Sequence, residues 1–261
     1  MLLLLTLPFL YPFVFLINTA LKPRSEFERD SVSLSTKLTF ENFASAWTDA
    51  DLGAAMLHSV ISVSIGVLVA VAISVTGAFW FVRRPGRWST SWRVLLIATT
   101  AIPLPVYIIP LFLQLSDAGL TDNLYVMGAI YAGWTSSLGL YLVYTFLKAI
   151  PDELLEAAQL DGANPWQQLA YIVLPLCKPI VATLAVLAFV ATWSDLLAGV
   201  VLIQDPEKRL LIPATALLND LHVSNVPRTA AAVVIAMAPM FVVFLVGQRS
   251  LARGILAGIG K

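Results

Sequence analysis

Charge is scarce in this chain. Only 12% of its 261 residues are charged, against roughly a quarter in soluble domains. Lys plus Arg and Asp plus Glu number 16 each, so the net charge is zero and nothing points to nucleic acid. There is one cysteine, Cys177, which excludes an internal disulfide and a cysteine-based zinc site. The two histidines, His58 and His222, have no carboxylate or cysteine at metal-ligand spacing and read as packing or surface residues. No Gly-x-x-x-x-Gly-Lys-Ser/Thr loop occurs. The one Gly-Lys pair, Gly260-Lys261, ends the chain, so nucleotide phosphates cannot be cradled in the usual way. No nucleophile–base pair suggests itself, which disfavours a membrane-embedded enzyme. Internal repeats and low-complexity linkers are also missing.

Apolar residues dominate instead, at 59% of the chain with a mean hydropathy of +0.84. Six segments are each near the ~20 residues a bilayer requires: Leu2–Leu21, Ala54–Val82, Val94–Leu115, Leu124–Leu147, Ile180–Ile203 and Thr229–Val246. Lipid offers the backbone no hydrogen-bond partner, and strand-type alternation is missing, so these segments read as helices. The expected class is all-α, a polytopic membrane protein forming one domain over residues 1–261. The opening run has neither the basic start nor the short core of a secretory leader, and it is long enough to span.

Basic residues orient the chain. Arg83, Arg84, Arg87, Arg93, Lys148, Lys178, Arg249, Arg253 and Lys261 share one side with four acids, Asp152, Glu153, Glu156 and Asp161. The opposite side holds the other seven basic residues and eleven acids. Lys and Arg favour the cytoplasm, so the loop around residues 151–175 and both termini are expected there.

That loop, PDELLEAAQLDGANPWQQLAYIVLP, is the most polar stretch of the second half. It predicts two short helices with a tight joint. Pro151 suits a first helical position, and Asp152 and Glu153 complement the helix dipole. Gly162 fits the left-handed position past the first helix, Asn164 and Gln167 form a capping box for the second, and Pro175 ends it. Helices this short need a surface to dock on.

The string Glu156-Ala157-Ala158, three residues, Gly162, nine residues, Ile172-Val173-Leu174-Pro175 resembles the EAA loop of bacterial ABC importer permeases. The similarity runs end to end and is nearest the maltose-type carbohydrate permeases, specifically the smaller subunit of the pair. Leu21-Lys22-Pro23, Glu41-Asn42-Phe43, Trp193-Ser194-Asp195-Leu196 and Gln248-Arg249 support it. The resemblance implies a type I importer permease fold whose EAA loop is the coupling helix, seated in a cleft of a separate ATPase. Glu156, Ala157, Ala158, Asp161, Gly162, Leu174 and Pro175 are the implied coupling residues. Implied partners are a second, homologous permease, two ATPase subunits, an extracellular or lipid-anchored binding protein, membrane lipid and a sugar. No cofactor is expected on this chain, since ATP and Mg belong to the ATPases. The implied location is the bacterial plasma membrane. Family members usually carry a basic tail before the first span, so a truncated start is expected here.

The pathway is less directly legible. Pro103, Pro105 and Pro110 should kink or unwind the third span, either beside the pathway or as a plain structural bend. Gly128, Gly133 and Gly139 read as helix-packing positions in the fourth. Asp195 is the one acid within an apolar segment, beside Trp193 and Ser194. It is expected either to meet substrate hydroxyls, with Trp193 stacking on a sugar face, or to bond to backbone or a partner helix. Phe40, Phe43 and Trp47 are expected on a short amphipathic helix, lying on lipid or covering the bundle mouth. By resemblance, the 204–228 loop reaches toward the binding protein and the C-terminal tail lies against the ATPases. The competing readings are an importer for another small polar solute and an ion-coupled carrier. The carrier would want more intramembrane charge and a duplicated half.

Overall fold

A computed structural model describes residues 2–218 and 225–259, with side chains for 8–218 and 225–250. His222 and the tail side chains beyond Ser250 lie outside the described residues, as does part of the 204–228 segment. Thirteen α-helices occur among the described residues. They are α1 (Leu2–Leu21), α2 (Arg24–Arg29), α3 (Glu41–Asp49), α4 (Leu52–Arg83), α5 (Arg87–Ala98), α6 (Leu104–Asp117), α7 (Leu124–Leu147), α8 (Asp152–Leu160), α9 (Pro165–Gln168), α10 (Leu174–Trp193), α11 (Leu197–Leu202), α12 (Leu211–Leu217) and α13 (Val226–Ile259).

All six expected apolar segments fall on helices, and two differ from expectation in instructive ways. The third span is broken: Arg87–Ala101 and Leu104–Asp117 meet at 99°. Pro103 holds the extended residue at the break (φ −70, ψ 144), and Pro105 falls in the first turn of α6, where a missing N–H has no cost. The fifth span ends at Trp193 instead of reaching Ile203. It starts early, because Pro175 does not stop the preceding helix. A π turn over Leu169–Val173 joins α9 to α10, with the Leu174 N–H donating to the Leu169 carbonyl. A proline clashes with the carbonyl four residues back; the widened turn makes room for Pro175, so the helix continues from Pro165 to Trp193.

The chain divides into two compact units, Met1–Val60 with Asp195–Phe241 and Ile61–Ser194 with Val242–Lys261.

In the first unit, a buried lysine organises the segment after α1. Lys22 is 0% exposed. Its Nζ donates to the carbonyls of Asp30 (2.6 Å) and Ser33 (2.9 Å) and to Ser33 Oγ (3.1 Å). Asn42, on α3, donates to the Ala20 and Lys22 carbonyls, both at 2.9 Å. Glu26 accepts from the Thr36 amide and hydroxyl, which with the Ser35 hydroxyl hold its carboxyl below the usual carboxylate range. The Ser33 and Val32 amides do the same for Asp30. A depressed carboxylate stabilises the fold above its unfolded pKa and loses that contribution as pH falls through its folded one. The segment should therefore loosen on acidification below the usual carboxylate range. Lys22→Met should remove the charged donor shared by the Asp30 and Ser33 carbonyls, leaving the Ser33 carbonyl only its bond from Asn18, at a cost of about 1–3 kcal/mol. The expected result is a lower Tm and faster proteolysis between residues 24 and 40; an unchanged digestion pattern would show the lysine is dispensable. On α3, Asn42 and Ala46 face inward while Phe40, just before it, and Trp47 remain exposed.

Elsewhere in this unit, Ser59 Oγ accepts from the Leu211 amide at 2.8 Å, and His58 Nδ1 lies 3.2 Å from the Arg209 carbonyl. His58 is thus a packing residue, as expected.

In the second unit the core joins α4, α7, the π turn and α10 through Val75, Phe79, Val143, Leu147, Val173, Cys177 and Leu184. Cys177 is buried in it. Close approach of α4 and α7 needs glycine: a Cβ on Gly128 would lie 2.7 Å from Ile65 Cγ2 and 3.0 Å from the Ser62 carbonyl. Gly139 is equally crowded, but Gly133 meets nothing within 4 Å, so it has a different role.

Candidate functional site

The polar joint forms as its residues dictate. Asp152 and Glu153 occupy the first turn of α8, with Pro151 one position earlier than expected, as the N-cap. At the other end Gly162 has φ +85. Its N–H donates to the Gln159 carbonyl (3.0 Å) and that of Ala163 to the Ala158 carbonyl (2.9 Å), the two bonds of a Schellman ending. Asn164 then caps α9: its Oδ1 accepts from the Gln167 amide at 3.0 Å while Gln167 Oε1 accepts from the Asn164 amide at 2.8 Å.

The joint buries one face and presents the other. Ala158 is 9% exposed, and Leu155 packs against the core. Glu156, Ala157, Asp161, Gly162, Leu174 and Pro175 are exposed. The structure thus divides the two alanines: Ala158 serves the chain's own packing, and Ala157 faces outward. Leu160, at 90% exposure, and Trp166, at 74%, stand out on the same short stretch. An exposed leucine and tryptophan flanking a left-handed turn make an apolar contact surface with a charged edge, suited to docking in a groove. Nothing in the sequence separates them from the other large apolar residues of the loop, such as Leu154, Leu155 and Tyr171; their exposure is a result of packing.

A second feature lies at the broken span. A cleft of about 660 Å³ is lined by residues of the bend, α6, α7 and α10, among them Thr99, Tyr107, Gly133, Trp134, Ser137 and Ala188. The size suits a small-molecule ligand. Gly133 opens it, since a larger side chain there would project into free space. Ser137 Oγ and Thr99 Oγ1 are 2.8 Å apart, and Thr99 also donates to the Leu96 carbonyl at 2.6 Å. Both hydroxyls keep acceptor capacity for a ligand rich in O–H donors. None of the residues lining the cleft is charged.

Several expected pathway residues sit elsewhere. Pro103 and Pro105 shape the bend without lining the cleft. Trp193 is 3% exposed and stacks on Phe189 at 5.1 Å, and Ser194 Oγ donates to the Val190 carbonyl at 2.8 Å. Asp195, in the first unit, caps α11 by accepting from the Gly199 (3.1 Å) and Ala198 (3.4 Å) amides. A chain turning out of a long helix needs such a cap, which explains an acid at this position.

Comparison with known proteins adds a family. The model described as binding-protein-dependent transport system inner membrane component matches residues 62–256. The melibiose/raffinose/stachyose import permease protein of Bacillus subtilis is 30% identical over 251 residues, covering 96% of this chain and 91% of the relative. The diacetylchitobiose uptake system permease protein of Streptomyces coelicolor is 29% identical over 251 residues, covering 95% and 82%. Among solved structures, a chain of a bacterial ABC transporter involved in import of the acidic polysaccharide alginate superposes with a TM-score of 0.80 at 22% identity, over 95% of this chain and 92% of that one.

Proposed function

Since the chain belongs to the family of binding-protein-dependent transport system inner membrane components, we propose that it is one of two permease subunits of an ATP-driven sugar importer. It is a transport component and not an enzyme; hydrolysis falls to two separate ATPase chains, with their ATP and Mg. The observation that carries this reading is the joint at residues 151–175: a rigid turn at Gly162 with Leu160 and Trp166 exposed beside it. In this reading the ATPase groove closes over that surface, and α10, continuous with the joint through the π turn, receives the movement. The joint and both termini are then cytoplasmic, consistent with the distribution of basic residues.

The substrate side follows from the cleft. Trp134 and Tyr107 offer aromatic faces, and the Thr99–Ser137 pair offers hydroxyls, with no charge among the lining residues. An uncharged, hydroxyl-rich ligand fits better than an amino acid or phosphate, whose charge would need a partner. The Bacillus and Streptomyces relatives, whose names give oligosaccharide substrates, point the same way. A binding protein delivers the sugar from outside, and a second, homologous permease completes the pathway.

Reconstitution tests this. This chain, its paired permease and two ATPases in liposomes should take up sugar only with ATP inside and loaded binding protein outside. Uptake by this chain alone, with no ATPase present, would overturn the reading.

A further inference from the structure

Gln168 is a polar side chain with 0% exposure, at the end of α9 and the start of the π turn. Burying an amide is unfavourable unless both of its ends are bonded. Here they are, to two different elements. Nε2 donates to the Ala163 carbonyl at 2.9 Å, which lies in the elbow just after Gly162. Oε1 accepts from the guanidinium of Arg83, the last residue of α4. The Arg83 guanidinium also lies 5.7 Å from the ring of Phe79, one turn back on its own helix. Arg83 and Gln168 are 85 positions apart.

We propose that the Arg83–Gln168–Ala163 chain of hydrogen bonds is a positioning strut that makes the end of α4 move with the coupling joint. The inference rests on the importer reading above and adds residues outside the EAA string. Three features support it. α10 is joined to the joint directly by its own backbone, whereas the backbone from α4 reaches it only through α5, α6 and α7. Beside the strut, α4 and this region share an apolar cluster that includes Val75, Ala78 and Phe79 of α4 and Leu169 and Val173 of the π turn. Apolar contacts tolerate sliding, but a charge-assisted hydrogen bond fixes distance and direction. The strut also meets the chain where the helix widens, at Leu169–Val173, so Gln168 ties the elbow down just before a locally weakened turn. Closure of the ATPases on the joint would then pull on two spans, α4 and α10, and not on α10 alone.

The test uses the assembled complex in liposomes, with sugar uptake and ATP hydrolysis measured on the same preparation. Gln168→Leu and Arg83→Met should each retain the ATPases but lower sugar molecules taken up per ATP by about tenfold, an ordinary size for coupling between sites. Gln168→Glu still accepts from Arg83 but can no longer donate to the Ala163 carbonyl, so it too should lower that ratio. The double variant should fall no further than either single, because the two residues act through one bond. A residue that only held the fold together would lower the yield and Tm and leave uptake per ATP unchanged. An unchanged ratio in Arg83→Met, whose side chain is only partly buried and whose loss the fold tolerates best, would overturn the strut. So would singles whose effects multiply in the double. If the wild-type complex itself shows no ATP-dependent uptake, the importer reading fails, and the strut with it.

Discussion

Gly162→Asp should abolish ATP-dependent uptake and strip the ATPases from the purified complex, while the chain still inserts in the membrane. At φ +85 an L side chain is strained by about 1–2 kcal/mol. A Cβ there meets no heavy atom within 4 Å, so the substitution spares the chain's own packing. What it changes is the presented surface: a second carboxylate beside Asp161, on the turn that carries Leu160. Gly162→Ala, strained but uncharged, should lose less. Ala158→Phe should also abolish uptake, by a different route. Ala158 is buried, so a phenyl ring should lift α8 off the core that Leu155 packs against, and yield and Tm should fall too. The measurements are uptake, ATPase co-purification and Tm for all three variants. Normal uptake in Gly162→Asp would remove this joint from the coupling machinery.

Trp134→Ala should raise the KM for sugar uptake by about ten- to a hundredfold, the consequence of removing one large apolar contact surface from a ligand. The half-buried indole lines the cleft beside Gly133 and tilts against Tyr131 at 6.5 Å. Trp134→Phe keeps a stacking face and should recover most of the affinity. The ATPases should stay bound in both variants, because Trp134 is on α7 and the docking surface is on α8 and α9. An unchanged KM in Trp134→Ala would mean that sugar does not rest in this cleft. Filling it from the floor gives an independent reading: Gly133→Phe projects into the free space and should lower uptake with packing intact.

The local structure of the joint was legible because its signals are local. A capping box, a glycine past a helix end and acids in a first turn each act within four residues, so order along the chain suffices to place them. The joint's outward side was harder to see. Ala157 and Ala158 are alike in sequence, and only the packing of α8 turns one in and the other out. Pro175 misled for a related reason. A proline ends a regular α-helix, but the π turn before it removes the clash, and nothing in the residues themselves announces a π turn. The pathway residues were the least legible. Asp195 stood out as an acid in an apolar stretch, yet that stretch ends at Trp193 and the acid caps the helix that follows.

The sequence by itself determined the solvent this protein lives in, where its apolar segments lie, and the local shape of the joint. Hydropathy and capping depend on which residues are neighbours in the chain, and both survive without any knowledge of the fold. The tertiary structure alone decided where a ligand can sit and which helices the joint can pull. The cleft exists because α6, α7 and α10 come together around a 99° break, bringing Thr99 to Ser137 across 38 positions. The strut exists because the end of α4 meets Gln168 across 85 positions. Contacts of that kind depend on how whole helices pack, and a single sequence does not record which distant residues will meet.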